Sequence, residues 1–381
     1  SIGNIMRKLI LPLVMTAGLA CAADIEIHGT VNLDYASYFD DDFSPTNAAN
    51  QDIDLSLKAN LDENIAVVVN ANTRSNYINE KGELEASEVR RGFARSAFIS
   101  DYDNRYTAFN FDGAQLRWGI SNDVTLIFGD MRYSAGSFNY YFWRDSEKNA
   151  VIVREENLRG VGFEFGNEKW GNGKAYFGAS EDNDYSLAAF ATYSYPMLNR
   201  PTEHLILTPS VDWMFGSDIG RSYTYTFGVE VDYSRSLENL NYGIYLSWGT
   251  HPYKGNGVHT FLLEPSMNYS IFNLGTTFFY AITDDQYETA PQLFTDDQML
   301  FSIEPSFNLH KKLTMGVSYE YHDRDAETDD DEYQFLGMNF YLYPTLKTEA
   351  VFWFGYNFSE EDNGPFKDSN FSMGMSVKAS F

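Results

Sequence analysis

Basic and acidic side chains are interspersed along residues 117–159, and this stretch holds the residues best suited to electrostatic chemistry. Opposite charges that line a narrow aqueous passage generate a transverse electric field, which orients polar solutes and biases the choice of ions. The same side chains on an exposed loop would simply be solvated, so the sequence leaves both interpretations open. The candidates for a charged constriction are Arg117, Arg132, Arg144, Arg154, Arg159, Asp145, Glu147, Glu155 and Glu156.

A run of four aromatic residues, 140–143, lies within the same stretch. The flat faces of Tyr140, Tyr141 and Trp143 could stack on the apolar faces of sugars. Four consecutive side chains cannot all point in one direction, so packing of the run against the rest of the fold is the alternative.

Residues suited to catalysis or metal binding are sparse. The six histidines are scattered, and no serine or cysteine nucleophile motif stands near one of them. Acidic runs such as 40–42 could hold divalent cations, but they lack the glycine-containing spacing of an EF-hand loop. We therefore predict no enzymatic activity, no cofactor and no defined metal site.

The element easiest to identify lies at residues 371–381, where apolar residues take every second position. Strict alternation over this length is the period of a β-strand with one apolar and one polar face. A tilted strand of about eleven residues also suffices to cross a bilayer core. In lipid, each unpaired backbone group on a strand edge costs several kcal/mol, so such a strand must belong to a closed barrel.

The segment Met373-Gly-Met-Ser-Val-Lys-Ala-Ser-Phe381 resembles the C-terminal signal of Gram-negative outer-membrane β-barrel proteins. The resemblance implies a bacterial outer-membrane location in contact with lipid and lipopolysaccharide, and recognition by the barrel-assembly machinery. The alternative is an edge strand of a soluble β-sandwich. The residues of this assembly signal are Phe371, Met373, Met375, Val377 and Phe381.

Residues 1–22 have the pattern of a secretory signal peptide. Met6, Arg7 and Lys8 form a charged start, which residues 1–5 precede, and a mainly apolar run with a small-residue cleavage site follows. This interpretation leaves 23–381 as a single transmembrane β-barrel. The alternative makes Cys21 the lipidated first residue of a lipoprotein.

The composition limits the partners of the chain. Its 54 acidic and 27 basic residues give a net charge of −27, which argues against nucleic acid as a partner. Beyond residue 23 no apolar run approaches the roughly 18 residues of a membrane helix. Aromatic residues make up 17% of the chain and suit the girdles that flank the lipid-facing band of a barrel.

Alternation along the chain predicts an all-β fold, a transmembrane antiparallel up-and-down β-barrel of 16–18 strands. An even number is typical of single-chain bacterial barrels, and barrels of this size leave an aqueous channel. The predicted strands cover residues 25–38, 51–60, 64–74, 107–119, 123–130, 159–166, 174–180, 185–195, 205–214, 223–235, 241–250, 258–269, 274–282, 298–307, 313–321, 333–342, 347–358 and 371–381.

Residues 111–133 resemble the hairpin that leads into the pore-constricting third loop of general porins. The long loop predicted at 130–158 lacks the acidic, proline-containing stretch of many such loops, but loops of this length are uncommon unless functional. The resemblance implies a loop folded into the barrel, a homotrimer, and passive diffusion of small hydrophilic solutes and ions. Alternation with Leu116 and Trp118 predicts that Arg117 faces the lumen.

Two other functions fit the same sequence. One is a substrate-selective outer-membrane channel for carbohydrates or organic acids. The other is a non-channel barrel that acts through its acidic loops in adhesion or envelope structure.

Overall fold

The computed structural model contains one antiparallel sheet of 18 strands in which the first and last strands pair, so the sheet closes into a barrel. All other pairs join strands that are consecutive in sequence, which is the up-and-down topology. No helix in the part of the chain that the structure describes has the length and apolar character needed to cross a lipid bilayer. The structure describes residues 24–39, 45–78, 107–134, 155–167, 169–180, 187–215, 224–253, 256–282, 297–323, 332–358 and 371–381.

The fold class is confirmed at the upper predicted count of 18, and every predicted strand overlaps an observed one. The strands predicted at 123–130 and 159–166 extend further than expected, so residues 130–134 and 155–158 are strand rather than loop. The strands are β1 (Asp24–Phe39), β2 (Pro45–Asp62), β3 (Ile65–Ile78), β4 (Thr107–Ser121), β5 (Val124–Ser134), β6 (Glu155–Asn167), β7 (Gly171–Ser180), β8 (Leu187–Arg200), β9 (Glu203–Phe215), β10 (Thr224–Arg235), β11 (Leu240–Tyr253), β12 (Asn256–Tyr269), β13 (Phe272–Ile282), β14 (Gln298–His310), β15 (Leu313–Asp323), β16 (Glu332–Thr345), β17 (Thr348–Asn357) and β18 (Phe371–Ser380).

Alternate residues of each strand face opposite sides of the wall. On β17, Phe352, Phe354 and Tyr356 are 38%, 42% and 43% exposed, whereas Val351 and Trp353 are buried. Directly paired residues share a face, so the register carries this alternation from strand to strand around the barrel. The outer surface is therefore an apolar band, as a lipid-facing wall requires.

The two ends of the barrel differ in their connections. At one end of the barrel, here called the turn rim, a short turn connects each even-numbered strand from β2 to β16 to the strand that follows it. Residue 24 of β1 and residue 380 of β18 lie at the same rim. The connections at the opposite end, the loop rim, fall outside the described residues.

Large aromatic side chains on the lumen side lie flat against glycines of the neighbouring strand. The ring of Phe335 covers Gly355, and the ring of Trp353 covers Gly374, so that neither glycine has space for a Cβ. Both rings are almost completely buried. This packing keeps two of the largest side chains against the wall and out of the lumen.

The seam between β18 and β1 ends in a reciprocal pair of backbone hydrogen bonds. The N–H of Gly29 donates to the carbonyl of Phe381 at 3.2 Å, and the N–H of Phe381 donates to the carbonyl of Gly29 at 3.0 Å. The Phe381 ring lies against Gly29 and fills the space of a Cβ.

The residues of the predicted assembly signal share the outward face of β18, as their alternation predicts. Met373 and Met375 are exposed there, while the intervening Ser372 and Ser376 are buried on the lumen side. Recognition of this face by the barrel-assembly machinery stays a prediction.

Substitution of Gly29 by valine should impair closure of the barrel, because the new side chain would collide with the Phe381 ring and the Asp54 carbonyl. We expect a loss of roughly 1–3 kcal/mol, the usual range for overpacking. Urea unfolding in detergent, followed by the heat-modifiable mobility of the folded barrel on SDS gels, would measure it.

Gly275→Val is the matched control, since a Cβ at Gly275 meets no atom within 4 Å. Equal unfolding midpoints for the two variants would contradict the proposed fit between Gly29 and Phe381.

Candidate pore constriction

Strands β4 and β5 separate partway along the wall. Their ladder stops at the pair Gln115 and Gly129. Beyond this point β5 pairs only with β6, and β4 pairs only with β3. Gly113 and Gly129 stand at the split with φ angles of +116° and +121°, which glycine adopts without a Cβ clash. The end of the β5–β6 hairpin is thereby released from β4, while β6 stays paired with β7 as far as Leu158 and Ser180.

Asp130 satisfies backbone and side-chain groups at this split. Its carboxylate accepts a hydrogen bond from the N–H of Ala114 at 2.8 Å. Its carbonyl accepts one from the side-chain amide of Gln115 at 3.3 Å. The N–H of Ala114, which the end of the ladder would leave without a partner, is therefore bonded.

The released hairpin end bends into the lumen. The rings of Tyr133 and Phe190 stack with centroids 4.1 Å apart and planes 10° apart. The pairings from β5 to β8 align Phe190 with Ile127. On an unbroken wall Tyr133 would be roughly 14 Å across and 20 Å along the strands from Phe190. The contact therefore requires that residues 130–134 and 155–159, here called the inward hairpin end, bend toward the lumen, while Leu158 and Arg159 stay paired with Ser180 and Ala179 of β7.

An apolar cluster fastens the inward hairpin end to the wall. Met131, Tyr133 and Leu158 are 3% exposed or less. The sulfur of Met131 occupies the space that a Cβ of Gly162 would need. Burial of apolar side chains of this size stabilises the contact by roughly 1.5–3 kcal/mol each. The cluster consists of Ile127, Met131, Tyr133, Leu158, Tyr176, Ala188, Phe190 and Met214.

The opposite face of the inward hairpin end is charged. The Nε of Arg159 donates to Oδ1 of Asp130 at 2.7 Å, and the Arg159 side chain is 76% exposed. Arg132 lies on the same face and is also exposed. It lines a cavity of about 440 Å³ together with residues of β1–β3, among them His28 and Asp54. This face is therefore turned toward the lumen and the wall of β1–β3.

Arg117 lies on the lumen face of β4 and forms a small network there. Its guanidinium pairs with Glu164 and donates to the side-chain oxygen of Gln115 at 3.1 Å. The hydroxyl of Tyr176 donates to the other carboxylate oxygen of Glu164 at 2.7 Å. Arg117 and Glu164 are 31% and 30% exposed, so the pair borders the lumen as a fixed dipole rather than as a single charge.

Carboxylates take inward-facing positions on five of the seven strands from β9 to β15, namely β9, β10, β12, β14 and β15. No lysine or arginine takes a lumen-facing position on the described lengths of these strands. Since β14 lies half-way around the 18-stranded sheet from β5, this acidic arc faces the arginines of the inward hairpin end. The acidic arc consists of Asp212, Glu230, Asp232, Glu264, Glu304 and Glu320. Asp212, Glu264 and Glu320 are buried within the packed wall, so Glu230, Asp232 and Glu304 are the members that can reach the lumen.

The structure describes part of the predicted constriction. Arg117 borders the lumen on the wall and Arg132 borders it on the inward hairpin end, and Arg159 lies beside Asp130 at the split. Glu155 and Glu156 lie on β6, but their side chains are outside what the structure describes. The predicted residues that fall outside the described ranges are Arg144, Asp145, Glu147 and Arg154, and the sugar-stacking candidates Tyr140, Tyr141 and Trp143. The assignment of all these residues to a constriction or a sugar site stays a prediction.

Several residues of the site were not among the predicted ones. Glu164 alternates with Phe163 and Phe165, a pattern that places its side chain inward. Asp130 falls at the start of the loop predicted at 130–158, and no pattern in the sequence indicates its contact with β4. The acidic arc has the same alternating signal on each strand, for example Asp212 beside Trp213, but its position opposite β5 follows only from the strand order.

No protein-family profile matches the chain, and no curated protein sequence matches it. Solved structures do match. Acinetobacter baumannii OccAB4 has a TM-score of 0.55 and 13% identity over 94% of this chain and 98% of that chain. Pseudomonas aeruginosa OccK5 (OpdH) has a TM-score of 0.58 and 10% identity over 94% of this chain and 98% of that one. The outer membrane protein OpdK of Pseudomonas aeruginosa has a TM-score of 0.56 and 12% identity over 93% and 99%.

At 10–13% sequence identity, the match to these three structures shows that the folds are alike. The fold of this chain is that of bacterial outer-membrane β-barrels. The prediction of such a barrel from the alternating residues and the C-terminal segment is therefore confirmed for the fold.

Replacement of Phe190 by alanine should loosen the inward hairpin end, because Tyr133 loses its stacked partner. Truncation of a buried phenylalanine costs roughly 3–5 kcal/mol, enough to shift the hairpin end away from β8. We expect larger and noisier single-channel conductance steps in planar bilayers. Phe278→Ala, the same substitution on the outward face of β13, is the control and should leave the steps unchanged. Identical conductance of the Phe190→Ala variant and the original protein would contradict a narrowing role for the hairpin end.

Proposed function

We propose that the chain is a porin of the bacterial outer membrane, a passive channel for small hydrophilic solutes and ions. The observation that supports this most directly is a closed 18-stranded barrel whose lumen is narrowed from one side by the inward hairpin end. Barrels of this size enclose an aqueous passage. Diffusion down a gradient through such a passage needs neither an energy source nor a cofactor.

The charges give the passage its selectivity in this proposal. A solute crossing the narrowed lumen moves between Arg132 and Arg159 on one side and the less buried members of the acidic arc, Glu230, Asp232 and Glu304, on the other. Two unit charges at 4 Å interact by about 1 kcal/mol in bulk water but by about 4 kcal/mol near a protein surface. A polar solute that aligns with this field recovers part of the hydration it loses, whereas an apolar solute does not.

A channel selective for organic acids is the second candidate. Arg132 and Arg159 present guanidinium groups on an exposed face, and a guanidinium matches the two oxygens of a carboxylate. OpdK of Pseudomonas aeruginosa, which shares the fold, has been crystallised with vanillate, a carboxylate. The carbohydrate alternative rests on Tyr140, Tyr141 and Trp143, which lie outside the described residues.

Planar bilayers and liposomes test these functions together. A diffusion channel should give discrete conductance steps, and liposome swelling should slow steadily as neutral solutes become larger. Swelling or current that saturates with one organic acid would favour the selective channel. Folded protein without any conductance would reject both channels and favour the non-channel surface barrel.

Replacement of both Arg132 and Arg159 by glutamine should shift the channel toward cations, because two positive charges leave the lumen side of the hairpin end. We expect the cation-to-anion permeability ratio to rise roughly fivefold, which corresponds to about 1 kcal/mol. Reversal potentials across a salt gradient give this ratio. Arg235→Gln is the control, since Arg235 lies at the turn rim and pairs with Glu238 at 3.1 Å. An unchanged ratio in the double variant would remove these arginines from the conducting path.

The remaining partners belong to the same proposal. A homotrimer, contact with lipopolysaccharide and recognition by the assembly machinery follow from the porin resemblance, and chemical cross-linking in native membranes tests them. Removal of residues 1–22 predicts a mature chain that begins at residue 23 or 24, which N-terminal sequencing would reveal.

A further inference from the structure

The turns of the turn rim differ in charge around the barrel. Turns early in the chain carry acidic residues such as Asp62 and Glu203. The turns at 269–272, 309–313 and 343–348 contain no aspartate or glutamate. These three turns join β12 to β13, β14 to β15 and β16 to β17, so they are neighbours along the rim. The turns of one sector therefore lack acidic residues in a chain whose net charge is −27, and Glu349, which follows the last of these turns, lies on the inward face of β17 opposite Lys378.

Lysines are concentrated in this sector. Lys311, Lys312 and Lys347 are exposed on two neighbouring turns. Lys312 links the two turns, because its Nζ donates to the carbonyl of Pro344 at 2.8 Å and its carbonyl accepts the N–H of Tyr343 at 3.0 Å. Ammonium groups gathered in this way repel one another unless anions lie beside them.

Apolar side chains project beside these lysines. Leu346 is fully exposed, at 108%, and Leu309 is 58% exposed. Leu309 continues the outward row of β14 that includes Phe307, so the apolar surface runs from the lipid-facing wall onto the rim. Exposure of a leucine side chain to water costs roughly 1.5–3 kcal/mol relative to an apolar environment. The sector is thus suited to a surface that is apolar on one side and anionic on the other.

We propose that this basic rim patch, formed by Leu309, Lys311, Lys312, Leu346 and Lys347, binds anionic phospholipid of the periplasmic leaflet. The leucines enter the acyl boundary, and the lysines extend along it to the lipid phosphates. Short turns of bacterial barrels face the periplasm, so the inference rests on the outer-membrane location proposed above.

The test uses the folded full-length barrel in phosphatidylcholine vesicles that contain a minor fraction of phosphatidylglycerol. Native mass spectrometry of the extracted barrel counts the retained lipids of each kind. We expect phosphatidylglycerol to be enriched, and the enrichment to weaken as salt is raised. Each lysine beside an anionic surface contributes roughly a fivefold preference. The double variant Lys311→Gln and Lys347→Gln keeps Lys312, which links the two turns. Its enrichment of phosphatidylglycerol over phosphatidylcholine should therefore be at least tenfold lower than that of the original protein.

Arg200→Gln is the matched control, because Arg200 lies on another turn with Glu203 at 3.6 Å and should leave the enrichment unchanged. Equal retention of both lipids by the original protein would overturn the proposal, and so would an equal loss in the Arg200→Gln variant. Where the double variant does not fold, Lys347→Gln alone serves, since the Lys347 carbonyl still accepts the N–H of Ser380 at 2.8 Å. An unchanged enrichment in that single variant would also overturn the proposal.

Conductance recorded from the same vesicles separates this inference from the channel function. A conducting barrel without phosphatidylglycerol enrichment rejects the basic rim patch alone. An enriched barrel without conductance rejects the channel alone.

Discussion

Backbone hydrogen bonding in a medium without water is the constraint on which the rest of this structure depends. Within the bilayer every N–H and C=O must find a partner in the protein, because each unpaired group costs several kcal/mol. The 18-stranded sheet meets this condition only because β18 pairs with β1, down to the bonds between Gly29 and Phe381. With its backbone satisfied, the wall can present apolar side chains to lipid and confine charged ones to the lumen and the rims.

The same constraint limits where the wall can open. Where β4 and β5 part, the ladder groups of both strands lose their regular partners. Asp130 supplies one acceptor for them, and the aqueous lumen supplies the environment in which the others can be hydrated. A split of this kind is therefore compatible with a hairpin that bends toward water. The bend of residues 130–134 toward the lumen and the exposed position of Arg132 both follow from this local break in the sheet.

The local parts of this fold could be predicted from the sequence, and the non-local parts could not. Alternation is a property of neighbouring residues, so it identifies β18 and the inward side of Arg117 directly. The stacking of Tyr133 on Phe190 joins strands that are not adjacent, and no periodic signal encodes it. Glycine within a strand is compatible with a kink, a bulge or a close approach, so Gly129 alone did not reveal the split. Residues 130–134 and 155–158 of the predicted loop are strand instead, because β5 and β6 continue beyond the split.

The pairing of β1 with β18 also determines the order in which the molecule can be completed. These two strands are far apart in sequence, and contacts of high sequence separation carry a large loop-closure entropy and form slowly. A chain exported with β1 first must keep one strand edge unsatisfied until β18 has crossed. Throughout that interval the nascent sheet is prone to aggregate, so escort by a holding chaperone suits this topology.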